Sequence, residues 1–117
     1  MNAAKIVSGS VAMSWAIHHS KSEELASQAE VTLKKGDRES ARDLYRLSAE
    51  AEEHALEALD SSKTRTLGIT VVSATSLWLK AEALQQAECM ACRWLASGLL
   101  PAFATAQLQE LLQTMRQ

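Results

Sequence analysis

Proline, glycine and cysteine are scarce in this 117-residue sequence, which contains one proline, four glycines and two cysteines. So few turn-forming residues exclude an all-β fold, which needs many tight turns. Two cysteines three positions apart cannot form a disulfide framework, so we expect a reducing compartment, the cytoplasm. Phenylalanine and tyrosine occur once each, and alanine supplies much of the apolar content. This composition favours closely packed helices.

An excess of one charge and a long apolar run are also missing. The formal net charge is −2 with both signs spread along the chain, so nothing drives it toward nucleic acid or an anionic membrane. The longest weakly polar stretch, residues 6–17, is too short to span a bilayer. It follows Lys5 and faintly resembles a signal peptide, but serines and Gly9 interrupt it, so we do not expect export.

A ten-residue segment occurs twice, at residues 33–42 and, 46 positions later, at residues 79–88. In both copies a helix-forming run ends, a short turn follows, and an alanine opens the buried face of the next helix. A helical unit used twice predicts stacked hairpins, an architecture whose function is usually binding and not chemistry.

The sequence predicts one all-α domain, residues 1–117, built from two antiparallel helical hairpins. Ser20 and Glu23 form a capping box that predicts a helix start, although no strong breaker separates the first two predicted helices and a continuous helix is the alternative. Residues 63–81 are rich in β-branched side chains, but their apolar positions have helical spacing. The predicted segments are an N-terminal helix (1–19), a first hairpin (22–60), a second hairpin (62–97) and a C-terminal capping helix (101–117).

The two copies resemble a degenerate pair of tetratricopeptide repeats over residues 22–97. In that family, small residues lie where the helices of a hairpin cross, and an aromatic side chain fills the gap beside them. The resemblance implies a scaffold for protein–protein interaction; a simple helical bundle is the competing fold. The first hairpin is also similar to a microtubule-interacting-and-transport domain. The small positions are Ala29, Ala41, Thr75 and Ala87, and the aromatic positions are Tyr45 and Trp78.

A basic row formed by Arg38, Arg42 and Arg46 begins the helix after Gly36, and the same helix ends acidic. This order is opposite to the one the helix macrodipole favours. The row therefore indicates salt links to neighbouring helices or contact with an acidic partner. With Lys34, these arginines are our partner-contact candidates in a non-enzymatic interaction or adaptor module that binds another protein or peptide. No aromatic residue is interleaved with the row, so we do not expect nucleic acid.

Cys89 and Cys92 form a CxxC motif in the middle of a predicted helix. A redox thiolate gains its low pKa at a helix start, and a structural zinc site needs four ligands. We therefore expect two small core residues, and the alternative function is a metal- or redox-responsive regulator that uses this pair. No nucleophile–base pair, phosphate loop or acid pair is present, so we expect no enzyme activity and no cofactor.

Three histidines, four clustered glutamates and Trp15 are the remaining residues that could take part in a functional site. The His18-His19 doublet and the glutamates of the long helix are expected to be solvated. Trp15 lies on a helix without an assigned partner, which leaves two alternatives: this helix docks on the stack, or it buries Trp15 in a second copy and forms a homodimer. The glutamates are Glu50, Glu52, Glu53 and Glu57.

Overall fold

In a computed structural model the chain folds into five helices, and no strand occurs in the described backbone of residues 3–117. Side chains are described for residues 14–117, so most of the signal-like stretch (6–17) and the part of the predicted N-terminal helix (1–19) before residue 14 lie outside them. The all-α prediction is confirmed. The helices are α1 (Ala3–Lys34), α2 (Arg38–Glu57), α3 (Thr64–Lys80), α4 (Leu84–Ser97) and α5 (Ala102–Met115).

Helix α1 is continuous, so the predicted boundary at residues 20–22 is wrong and the alternative of one long helix holds. The reason is tertiary. Ser22 is buried against α2, where its hydroxyl donates to the Ser48 carbonyl at 2.9 Å. The Ser48 hydroxyl in turn donates to the Ser22 carbonyl at 2.7 Å. This pair and the contact of His19 with Glu52 show that α1 and α2 run antiparallel.

The turns after α1 and α3 have the same backbone geometry, 46 positions apart. Gly36 has a φ of 89° and Glu82 has a φ of 60°. At each turn the amide of this residue donates to the carbonyl three positions before it, and the next amide donates to the carbonyl five positions before its own residue. This is the Schellman arrangement that ends a helix with a left-handed residue. The repeated segment therefore produces a repeated turn.

The four small positions of the two copies are buried. Ala29, Ala41, Thr75 and Ala87 are each at most 1% exposed, and the predicted core aromatics Tyr45 and Trp78 are buried. One apolar cluster surrounds Tyr45 and Trp78, and a second surrounds Leu67, Val71 and Leu108. Leu33 on α1 and Leu84 on α4 are exposed, and Trp94 is only half-buried.

Helix α3 is central, because it packs against α2, α4 and α5. The predicted helix at residues 63–81 is confirmed despite its β-branched side chains. Gly68 lets α5 approach closely, since a Cβ at this position would lie 2.9 Å from Pro101 Cγ. Gly98 ends α4 with a φ of 69°, in the left-handed region that glycine adopts readily. Within the described residues, no helix has the length and apolar character that crossing a membrane requires.

Candidate functional site

A basic cleft of about 200 Å³ lies where the two turns come together. Its walls come from the last turn of α1, the first two turns of α2 and the turn after α3. Three cationic side chains, one carboxylate and one aromatic ring line it together with two apolar residues. The lining residues are Leu33, Arg38, Ala41, Arg42, Tyr45, Lys80 and Glu82.

An ion pair between Arg38 and Glu82 bridges the two turns. Arg38 Nε donates to Glu82 Oε2 at 3.0 Å, and Arg38 Nη2 donates to Oε1 of the same carboxylate. The hydrogen bond from Arg38 holds the pKa of Glu82 below its usual value, and the same bond raises the pKa of Arg38. The contact is bidentate, the geometry in which a guanidinium binds a carboxylate best. The cleft is thus a place where a carboxylate is already bound.

Arg42 and Lys80 supply the other two positive charges of the cleft. The ammonium nitrogen of Lys80 lies 5.8 Å from the centre of the Tyr45 ring, within the range of a cation–π contact. Arg42 contributes to lowering the pKa of Glu82 through its charge. Among the described side chains, neither cation forms an ion pair with a carboxylate. Both are exposed, so their charges face solvent.

The predicted partner-contact residues divide into two groups. Arg38 and Arg42 line the cleft, whereas Arg46 and Lys34 are exposed outside it. Sequence reasoning missed Lys80 and Glu82, although the repeat contained the signal. Lys80 is the counterpart of Lys34 in the second copy, and Glu82 is the counterpart of Gly36.

The Cys89 and Cys92 thiols are exposed, so their predicted burial is wrong. Helix α4 buries Ala87, Met90 and Ala91 instead, which turns both cysteines to solvent. Cys89 borders a shallow cavity of about 190 Å³ with Glu53 and Arg93 among its walls. No group of three His, Cys, Asp or Glu side chains that could hold a metal ion occurs in the part of the chain whose side chains are described.

Three residues that were expected to be solvated instead take part in contacts between helices. His19 and Glu52 join α1 to α2, and Glu53 joins α2 to α3. Glu52 is 1% exposed, and His19 Nδ1 lies 2.9 Å from its Oε1. The other ring nitrogen of His19 contacts Glu23 one turn along α1. Glu53 accepts a hydrogen bond from Trp78 Nε1 at 2.8 Å. The prediction of a solvated acidic face therefore holds for the exposed Glu50 and Glu57 but not for Glu52 or Glu53.

Trp15 packs within its own chain. Its indole ring stacks on His19 with 4.8 Å between ring centroids, and Nε1 donates to Thr70 Oγ1 of α3 at 3.4 Å. These contacts dock Trp15 on the other helices of its own chain, and the homodimer stays a prediction.

Comparison of the chain with protein-family models, with curated proteins and with solved structures found no match. The geometry of the cleft therefore carries the functional argument.

Proposed function

We propose that this protein is a non-enzymatic protein–protein interaction module of the adaptor type, and that its basic cleft contacts an acidic segment of another protein. We further propose that α1–α2 and α3–α4 form a degenerate tetratricopeptide-like pair of hairpins. The observation that carries the function is the cleft itself. A chain of net charge −2 gathers three cations around a single carboxylate there.

The repeated turns support the hairpin pair. Equivalent residues 46 positions apart adopt the same left-handed conformation, and the alanines that follow, Ala41 and Ala87, are both buried. A unit used twice extends the surface over which a stacked helical protein contacts a partner. The cleft between the two turns lies where both copies contribute side chains.

The test is affinity capture from the native cell with the double variant Arg42→Glu/Arg46→Glu. Both arginines are exposed, so the variant keeps the helical circular dichroism signal and the melting temperature of the parent. Reversing two charges on the contact face repels an acidic partner. We expect the proteins captured by the parent chain to fall at least tenfold in abundance.

The matched control is Arg65→Glu/Arg116→Glu, which makes the same charge change at exposed positions on α3 and at the end of α5. It should capture the same proteins as the parent. If the Arg42/Arg46 variant and this control capture the same proteins at the same abundance, the surface formed by the cleft and Arg46 does not contact the partner.

A second candidate function is a metal- or redox-responsive regulator that uses Cys89 and Cys92. The observation that favours it is the exposure of both thiols, since reactive cysteines need access to solvent. Elemental analysis and thiol counting on protein purified from the native cell decide the matter. A bound metal or an oxidised pair supports this function, and two free thiols without metal exclude it.

Self-association and location remain proposals. Trp15 is engaged within its own chain, and we propose a homodimer through other residues of the N-terminal helix, to be tested in the capture experiments. We propose the cytoplasm as the compartment, because the two cysteines form no disulfide framework and a reducing environment is the default for such a chain.

A further inference from the structure

Glu82 occupies the cleft in the manner of a bound ligand. Its carboxylate accepts hydrogen bonds from Arg38 Nε and Nη2. Among the described residues that line the cleft, Glu82 is the one with an anionic side chain. The residue is exposed to solvent, so its position is not imposed by burial. The chain thus shows which chemical group the cleft accepts.

Two cations of the cleft keep their capacity for a second carboxylate. Arg42 and Lys80 line the cleft together with Tyr45, and neither forms an ion pair with any carboxylate in the described part of the chain. The apolar walls, Leu33 and Ala41, offer a surface to the aliphatic stem of an acidic side chain. A volume of about 200 Å³ accommodates such a side chain beside that of Glu82.

We propose that the cleft binds glutamate or aspartate side chains of an acidic segment in a partner protein, and that Glu82 is a built-in competitor for Arg38. In the free chain Glu82 holds Arg38. An incoming acidic segment binds Arg42 and Lys80 through one carboxylate, and a second carboxylate of the same segment displaces Glu82 from Arg38. This inference deepens the proposed function and rests on it, because it names the partner chemistry and the residue that limits affinity.

The cleft fits a protein carboxylate better than a nucleic acid. Tyr45 is 5% exposed and Lys80 lies over its ring, so no aromatic face is open for a base to stack on. The chain as a whole carries a net charge of −2, which repels a long polyanion outside the cleft. A short acidic segment contacts the cations of the cleft without extending over the negatively charged remainder of the surface.

The experiment measures fluorescence anisotropy of a fluorescein-labelled hexaglutamate peptide against the full chain at low salt. Glu82→Gln and Glu82→Gly remove the competitor, and we expect each to bind the peptide at least fivefold more tightly than the parent chain. Arg42→Gln and Lys80→Gln each remove a cation of the cleft, and we expect at least fivefold weaker binding. A hexaglutamine peptide should bind to none of them.

The control for net charge is Glu110→Gln, which removes one negative charge from the exposed surface of α5. It should bind the hexaglutamate peptide as the parent does. If Glu82→Gln gains no more affinity than Glu110→Gln while Arg42→Gln binds more weakly, Glu82 is not a competitor and the proposed function stands.

Two other outcomes would overturn the cleft as a carboxylate site. One is equal peptide affinity for Arg42→Gln, Lys80→Gln and the parent chain. The other is tighter binding of a fluorescein-labelled single-stranded RNA than of the hexaglutamate peptide, which would assign the cations to a different class of partner. Circular dichroism at the assay temperature, run on each variant, verifies that every comparison is made between folded chains.

Discussion

Glu82 and Gly36 occupy equivalent positions in the two turns, yet only Gly36 suits the conformation that both adopt. A residue with a Cβ pays roughly 1–2 kcal/mol for a left-handed backbone, whereas glycine does not. Glu82 has a φ of 60° and still occupies this position. Its bond to Arg38 offsets part of the strain.

Variants at the two turns should therefore respond in opposite ways. Gly36→Ala introduces the strain and should lower the free energy of unfolding by about 1 kcal/mol. At the second turn Glu82→Ala and Glu82→Gly lose the same ion pair, but only alanine keeps the strain, so the glycine variant should be the more stable. Urea denaturation followed by circular dichroism measures both. An alanine variant at position 82 as stable as the glycine variant would contradict the strained turn.

His19 and Glu52 show how a polar pair can define the contact between two helices. Glu52 is almost fully buried, and His19 is its donor in the described structure. Each ring nitrogen of His19 lies against a carboxylate, Nδ1 against Glu52 and Nε2 against Glu23. Removing the donor leaves a buried carboxylate without a partner, which costs more than the bond itself contributes.

A double-mutant cycle tests this pair. His19→Ala should destabilise the protein by about 2 kcal/mol, because Glu52 loses its donor. Combining it with Glu52→Met, which removes the buried charge, should be less destabilising than His19→Ala alone, because no unpaired carboxylate is left. Thermal unfolding gives the four stabilities. Strict additivity of the two single variants would show that the residues do not interact.

Residues 64–80 form a helix because of their tertiary packing, although their β-branched side chains favour a strand. Its threonines and valines suit a strand, but the spacing of Leu67, Val71, Ala74 and Trp78 gives a face that neighbouring helices cover on burial. Gly68 adds a second requirement, since α5 approaches so closely that only a hydrogen atom fits between Gly68 and Pro101.

The variant Gly68→Ala tests whether helix propensity or the contact with Pro101 has the larger effect on stability. Alanine is favoured over glycine in a helix by roughly 1 kcal/mol, whereas an extra Cβ 2.9 Å from Pro101 Cγ overpacks the contact at a cost of about 1–3 kcal/mol. We expect the clash to exceed the gain, with a net loss of about 1 kcal/mol in chemical denaturation. Ile69→Ala, an exposed neighbour on α3, is the control and should change stability little. A stabilised Gly68→Ala chain would contradict the close approach of α5.

The sequence predicted the helices and four small residues that are buried, but not every buried face. The turns at Gly36 and Gly98 and the break at Pro101 are local signals, so the ends they set were predictable. The continuity of α1 was not, because a capping box also occurs inside helices when tertiary contacts continue the helix past it. The orientation of α4 was missed because its main contacts are with α3 and α5, which leaves Leu84 and both cysteines exposed.

Two of the four charged residues that line the cleft could be identified from the sequence. Arg38 and Arg42 were prominent because they share a helix face, which spacing reveals. Lys80 and Glu82 come from a turn 38 or more positions later, and only the fold brings them to the same place. Their equivalence to Lys34 and Gly36 in the repeat was visible, but a repeat gives correspondence between positions and not contact between them.

The molecule as a whole is a helical scaffold whose two equivalent turns meet at one charged cleft. Two apolar clusters rich in alanine and leucine hold the helices together, while the cleft gathers positive charge on a chain that is negative overall. We propose that this cleft is where another protein binds. Position 33 gives direct access to it, because Leu33 lines the cleft and is 47% exposed.

Site-specific photo-crosslinking in the native cell tests that claim most directly. A benzophenone amino acid at position 33 should yield a discrete crosslinked protein with an acidic segment, and the adduct should disappear when Arg42→Glu is added. The same probe at position 103, which is exposed on α5, should not yield that adduct. An adduct at position 33 that survives Arg42→Glu, or no adduct there at all, would contradict the account.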